Sequence, residues 1–181
     1  MGLRSLLLLS NGANVETIGI VAGAFGATWG VAQLATGLLS DQLGRKPLTI
    51  LGLLTCGAGL LLIAHAAGPV WWSAGAAIAG LGMAMHYPTL IAIVADASDP
   101  HWRGTSLGVY RMWRDSGLGF GALLLGFIAD LAGIQWSLNV TASLLFYSGL
   151  IAVLLLSETS PNHRAGSAGR NPEAANPWAE G

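Results

Sequence analysis

Three groups of residues in this chain could do chemistry, and all three sit in or between long apolar stretches. The first is Arg111, Arg114 and Asp115, inside the run 104–132. At 1.5 Å of helical rise per residue, Arg111 lies ~10 Å and Asp115 ~16 Å beyond Gly104. A bilayer hydrocarbon core is ~30 Å thick, so these charges approach its middle. Each costs at least about 2.5–3.5 kcal/mol there. Arg111 and Asp115 are spaced i, i+4 and can pair, which leaves Arg114 in excess. An unpaired cation at depth calls for an anionic partner, either a solute group or an acid such as Asp96. A structural cluster near the membrane surface is the competing reading.

The second group is His86-Tyr87-Pro88. A proline inside a helical run frees a backbone carbonyl and kinks the helix. Such breaks are tolerated in membranes where they line protein or a water-filled cavity. His86 could carry a proton or touch a solute; the plainer role is a hydrogen bond to the freed carbonyl. Trp29, Gln33 and Tyr110 complete the candidates for a polar path, Gln33 being the only amide within its span.

The third group is a short polar knot. Asp41, Gly44, Arg45, Lys46 and Pro47 stand between two runs long enough to cross a membrane. A turn this compact belongs at a membrane surface, and Arg45 and Lys46 assign it to the cytoplasmic one. Pro47 suits the first turn of the following helix, where its missing N–H costs nothing.

The elements that must position these groups follow from composition. Hydrophobic residues make up 53% of the 181-residue chain and charged residues 9%, against ~25% charged in globular domains. Mean hydropathy is +0.60. A net charge of -1 argues against a basic nucleic-acid binder. Cys56, the single cysteine, gives no disulfide framework or metal cluster and reads as a small buried residue. The expected fold is all-α: a polytopic transmembrane helix bundle with five full spans at about 17–40, 48–66, 70–95, 104–132 and 138–156. A helix remnant at 3–9 precedes them, since that segment falls short of a span. Residues 1–159 form the membrane domain, and 160–181 read as a disordered cytoplasmic tail.

Within these spans, Gly19, Gly23 and Ala27, with Gly26 and Gly30, are spaced to clear a groove for a neighbouring backbone. The span 48–66 is uniformly apolar and is expected at the lipid-facing periphery. Trp71 and Trp72 read as a paired interfacial anchor. The glycines at 117, 119, 121 and 126 follow no strand; packing, not a nucleotide loop, explains them. Asn139-Val-Thr141 matches a glycosylation acceptor by chance, lying at the edge of a span. Neither a signal peptide nor myristoylation is read at the amino terminus.

Cations occupy the connections 41–47 and 97–104 and the tail, and are missing from 10–16, 66–70 and 132–137. This alternation places the cationic connections and the tail in the cytoplasm. The chain is expected in the plasma (inner) membrane. Arg4 fits this poorly unless the chain begins mid-structure.

The pattern Gly37-x-x-x-Asp41-x-x-Gly44-Arg45-Lys46 resembles the loop signature of the major facilitator superfamily. The likeness extends through Trp29-Gly30 and Gln33 on the way in, then Tyr87-Pro88, Trp102-Arg103, and Tyr110-Arg111-x-x-Arg114-Asp115, from about Ile18 to Thr159. Gln42 departs from it, standing where many members carry arginine. The resemblance implies a twelve-helix transporter in two halves, of which this chain supplies the carboxy-terminal half, truncated at its start. It implies that Asp41 sits against a neighbouring helix end and that the loop acts as a cytoplasmic latch. The plain alternative is a helix cap with two charged anchors.

The function expected is secondary transport of a small solute by alternating access, with protons as candidate coupling ion. The solute site would lie between two halves, so a second half or second copy is implied as partner, together with the lipid bilayer. The alternative is a truncated, non-transporting module that only packs with other helices. An enzyme is not read: no metal-ligand spacing, nucleophile motif or pair of catalytic acids occurs. No cofactor, metal or nucleic acid is expected.

Overall fold

The computed structural model describes residues 15–156. They form five helices: α1 (Val15–Leu43), α2 (Arg45–His65), α3 (Pro69–Ala97), α4 (Arg103–Ala132) and α5 (Ile134–Leu155). All five are long and apolar enough to cross a membrane, and no strand occurs among the described residues. The all-α bundle of five membrane-length helices is therefore what the described residues build. The remnant at 3–9 and the tail at 160–181 lie outside the described residues.

The connections are shorter than expected. Helix α1 runs through Leu43 and α2 starts at Arg45, so Gly44 alone joins them, at φ 101° and ψ 155°. Gly133, at φ 92°, alone joins α4 to α5. That region of backbone space is open essentially to glycine only, which is why one residue suffices to reverse the chain. Pro47 falls in the first turn of α2 and Pro69 opens α3.

The tightest contact is between α2 and α3, where Gly52 and Gly59 face Gly75 and Gly82. A Cβ added at Gly59 would sit 2.5 Å from the Ala79 nitrogen and 2.6 Å from the Gly75 oxygen. On its other side α2 meets α5, with Phe146 seated on Gly57 and Gly149 against Leu54. This corrects the peripheral placement of the 48–66 span. Leu48, Thr49, Cys56, Leu60 and Ile63 of α2 are buried, and the helix is central. Apolar side chains suit lipid and protein interior alike; the small residues that let backbones meet are what mark the buried helix. Helix α1 leans on α3, with the Phe25 carbonyl over Gly80. The core joins Val21, Leu60, Ile63, Trp72, Ala76, Leu138 and Ala142.

Three further expectations are corrected. Trp72 is core, 5% exposed, and its indole N–H donates to the Ala66 carbonyl at 2.9 Å; only Trp71 points outward. The glycines at 19, 23, 26 and 30 of α1 and at 117, 119, 121 and 126 of α4 meet nothing that a Cβ would touch within 4 Å. They are not packing seams among the described residues, and α4 as a whole buries no residue.

Pro88 does not interrupt α3, which continues to Ala97. Lacking an N–H, Pro88 leaves the Ala84 carbonyl without its helical donor. The Thr36 hydroxyl of α1, buried at 4% exposure, donates to that oxygen at 2.8 Å. The expected histidine partner is elsewhere: His86 Nδ1 lies 3.0 Å from the Gly82 carbonyl. A carbonyl only accepts, so Nδ1 holds the hydrogen. Asn139 lies inside α5, its Oδ1 accepting from His65 Nε2 at 2.9 Å.

Thr36→Val should therefore cost about 0.5–2 kcal/mol, the range for interhelical hydrogen bonds in membranes. In a Pro88→Ala background, where the helix supplies its own donor, the same change should cost little. Unfolding of the four variants in detergent reads the cycle, and equal costs in both backgrounds would refute the pairing. Gly59→Ala should lower the unfolding temperature, because two backbones must separate; Gly119→Ala should leave it unchanged or raised.

Candidate functional site

Polar chemistry gathers in two places. At one end of the bundle, Arg45 of α2 donates from Nε to Asp96 of α3 at 3.0 Å and from Nη1 to the Ser40 hydroxyl of α1 at 2.8 Å. The neighbouring Lys46 donates to the Val153 carbonyl of α5 at 2.8 Å. The two basic residues thus tie the start of α2 to the ends of α1, α3 and α5. A cation suits the ends of α1, α3 and α5, where unpaired carbonyls concentrate negative charge. Arg45 is buried rather than a solvated anchor, its side chain only 11% exposed. Asp96 is committed here, which corrects its assignment as partner for the cations of α4. Asp41 falls in the last turn of α1, one turn beyond Gly37; its side chain lies outside the described part of the structure.

The second place is midway along the bundle. Arg114 donates to one oxygen of Asp115 from both Nε, at 2.9 Å, and Nη2, at 2.8 Å. Its Nη1 donates to the Tyr87 hydroxyl of α3 at 2.9 Å. The guanidinium lies 5.3 Å from the centre of the Tyr87 ring and 6.0 Å from that of Tyr110. Trp29 of α1 meets Tyr87 edge to face at 6.1 Å, and Phe25 stands 6.0 Å behind Trp29. The Trp29 indole N–H is buried with no hydrogen-bond partner among the described residues.

Three helices thus bring Trp29, Tyr87, Tyr110, Arg114 and Asp115 together. The expected Arg111–Asp115 pair does not form, and Arg114 is not the cation in excess. Helical spacing permits a pair but does not enforce it. Arg114 turns toward α3, gains the phenol and ring face of Tyr87 there beside the Tyr110 ring of its own helix, and holds Asp115 with it. Arg111 remains exposed and makes no ion pair among the described residues. Gln33 is half-buried one turn past Trp29. His86 packs toward α2, where a Cβ added at Gly52 would meet its backbone at 2.8 Å, and stands apart from the cluster. Sequence reasoning missed Thr36, Ser40 and the Arg45–Asp96 pair; Thr36–Ala84 and Arg45–Asp96 join residues far apart in the chain, and Ser40 meets Arg45 across the turn at Gly44.

The family model of the Major Facilitator Superfamily matches residues 3–180. The chain belongs to this superfamily. An uncharacterized MFS-type transporter of Pseudomonas aeruginosa is 32% identical over 137 residues, 76% of this chain and 34% of the relative. The multidrug resistance protein MdtH of Yersinia enterocolitica is 32% identical over 118 residues, 61% of this chain and 29% of the relative. The chain thus spans about a third of the length of the curated relatives it matches. The crystal structure of peptide transporter POT in complex with sulfate aligns over 96% of this chain and 40% of its own, with TM-score 0.72 and 20% identity. At that identity the likeness is one of fold. As a superfamily member with five membrane-length helices, the chain is an integral membrane protein.

Arg45→Gln and Asp96→Asn should each destabilise the bundle by about 1–3 kcal/mol, because either change removes an ion-pair partner from a mostly buried charge. The double variant should lose no more than the worse single one. Additive losses in detergent unfolding would show that the two side chains act independently.

Proposed function

We propose that this chain is part of a secondary transporter that moves a small solute by alternating access. The solute path runs along the face of α4 that carries Arg111, Arg114 and Asp115, beside Tyr87, Tyr110 and Trp29. One observation carries this reading: α4 is a membrane-length helix with three charged residues ~12–18 Å along it from Arg103, and none of its residues is buried. Ionised side chains at such depth face protein or a water-filled path, not lipid. The open face of α4 then belongs against a second half or a second copy. Relatives named for multidrug resistance, and a fold shared with a peptide transporter, favour small organic solutes.

The end bearing Arg45, Lys46 and Arg103 is cytoplasmic by its cations, and the membrane is the plasma membrane. There the Gly37–Lys46 loop, with Asp41 and the Arg45–Asp96 pair, acts as a latch. Rocking between states breaks and remakes these few polar contacts, in which Arg45 is buried and Asp96 partly so. His86, with one ring nitrogen held by Gly82, is a candidate proton carrier on a neighbouring face. The chain resembles the carboxy-terminal half of the family.

The test is flux in proteoliposomes of the full chain, alone and with a co-expressed amino-terminal half, using a radiolabelled solute library with and without a pH gradient. Solute movement that disappears in Asp115→Asn and Arg114→Ala, with insertion unchanged, is the expected result. Normal insertion with no flux in either preparation would favour a non-transporting packing module.

A further inference from the structure

We infer that the solute carries a single anionic group and that Arg111 recognises it. This rests on the solute path proposed above and names what that path would select. In the stretch 111–115 of α4, two cations against one acid leave one positive charge. The Arg114–Asp115 pair is neutral, and three of the five Arg114 N–H donors are engaged, two on one carboxylate oxygen and one on Tyr87. The surplus charge is therefore Arg111, which lies ~12 Å along α4 from Arg103.

No acid with a described side chain is placed to neutralise it. Asp96 is bound to Arg45. Asp99 accepts the His101 backbone N–H in the connection before α4. Asp130 lies more than ~20 Å further along the same helix, and Glu16 opens α1 at the opposite end of the bundle from Arg45. Asp115 is one turn away and 62% exposed, and it could have paired with Arg111, yet it is paired with Arg114, which Tyr87 anchors through its hydroxyl. The groups that α3 and α1 present to this region, Tyr87 and Trp29, are uncharged phenol and indole. Arg111 itself is exposed, and at Gly108, one turn before it, an added Cβ would meet nothing within 4 Å.

An exposed guanidinium with unused donors, in open space, at a depth where a lone charge is costly, selects an anion. The exposed Asp115 carboxylate next to it penalises a second negative charge. A monoanion, such as a carboxylate on an aromatic or aliphatic body, satisfies both.

The probes are benzoate, benzyl alcohol and benzyltrimethylammonium, which share a ring and differ in charge. Binding to the full chain is measured by calorimetry and saturation-transfer NMR in phosphatidylcholine nanodiscs. Benzoate should bind saturably and more tightly than benzyl alcohol. Arg111→Gln should weaken benzoate about tenfold or more and leave benzyl alcohol unchanged, while Arg111→Lys should recover most of the loss. Benzoate binding that survives Arg111→Gln but is lost in Arg114→Gln would overturn the assignment of Arg111. Preference for benzyltrimethylammonium, lost in Asp115→Asn, would overturn the anionic class while leaving the solute path in place. Competition between added phosphatidylglycerol and benzoate that depends on Arg111, without benzoate transport, would identify a lipid phosphate as the anion and overturn a solute role. No saturable binding of any probe, with no flux, would remove the solute path itself.

Discussion

The close approach of two backbones, α2 and α3, is the contact on which the rest of the structure depends. Gly52 and Gly59 on one helix and Gly75 and Gly82 on the other remove the side chains that would hold the axes apart. In lipid there is little hydrophobic gain from bringing helices together, so such contacts, and the hydrogen bonds they permit, supply the association. Once α2 and α3 are in register, Arg45 reaches Asp96 at one end. At the other end, Trp72 turns into the core and bonds the Ala66 carbonyl. Helix α5 then closes the far side of α2 through Phe146.

The same register sets the polar interior. Pro88 frees the Ala84 carbonyl, and the only way to leave it in an apolar bundle is to supply a donor. Thr36 does so from α1, which fixes α1 on α3 and brings Trp29 to the edge of Tyr87. Tyr87 in turn takes a hydrogen bond from Arg114 of α4. A single proline thus leads, by satisfied hydrogen bonds, to the placement of the charged cluster. Helix α4 has few other ties to the bundle, and its Arg114 and Asp115 are held by partners more than by burial.

Much of this was legible in the chain because lipid simplifies the code. Five apolar runs between polar breaks can only be helices, so the number of spans and their order were readable, and so was the family through Gly37, Asp41, Gly44, Arg45 and Lys46. The partners were not readable. The i, i+4 spacing of Arg111 and Asp115 was compatible with a pair, but Tyr87, from another helix, decided that Arg114 would take the acid. The even apolarity of the 48–66 span carried no sign of which neighbours it would have. Its glycines did carry that sign, yet glycines equally regular in α1 and α4 face open space.

The sequence by itself determined that the chain lives in a membrane, where its helices lie and where its charges fall along them. Those properties depend on composition and local spacing, which a chain possesses before it folds. Which helix is central, which cation is paired and which acid is spent were decided only by the tertiary structure. Each of these is a contest between partners brought together from distant parts of the chain, and its outcome depends on distances that no local pattern contains.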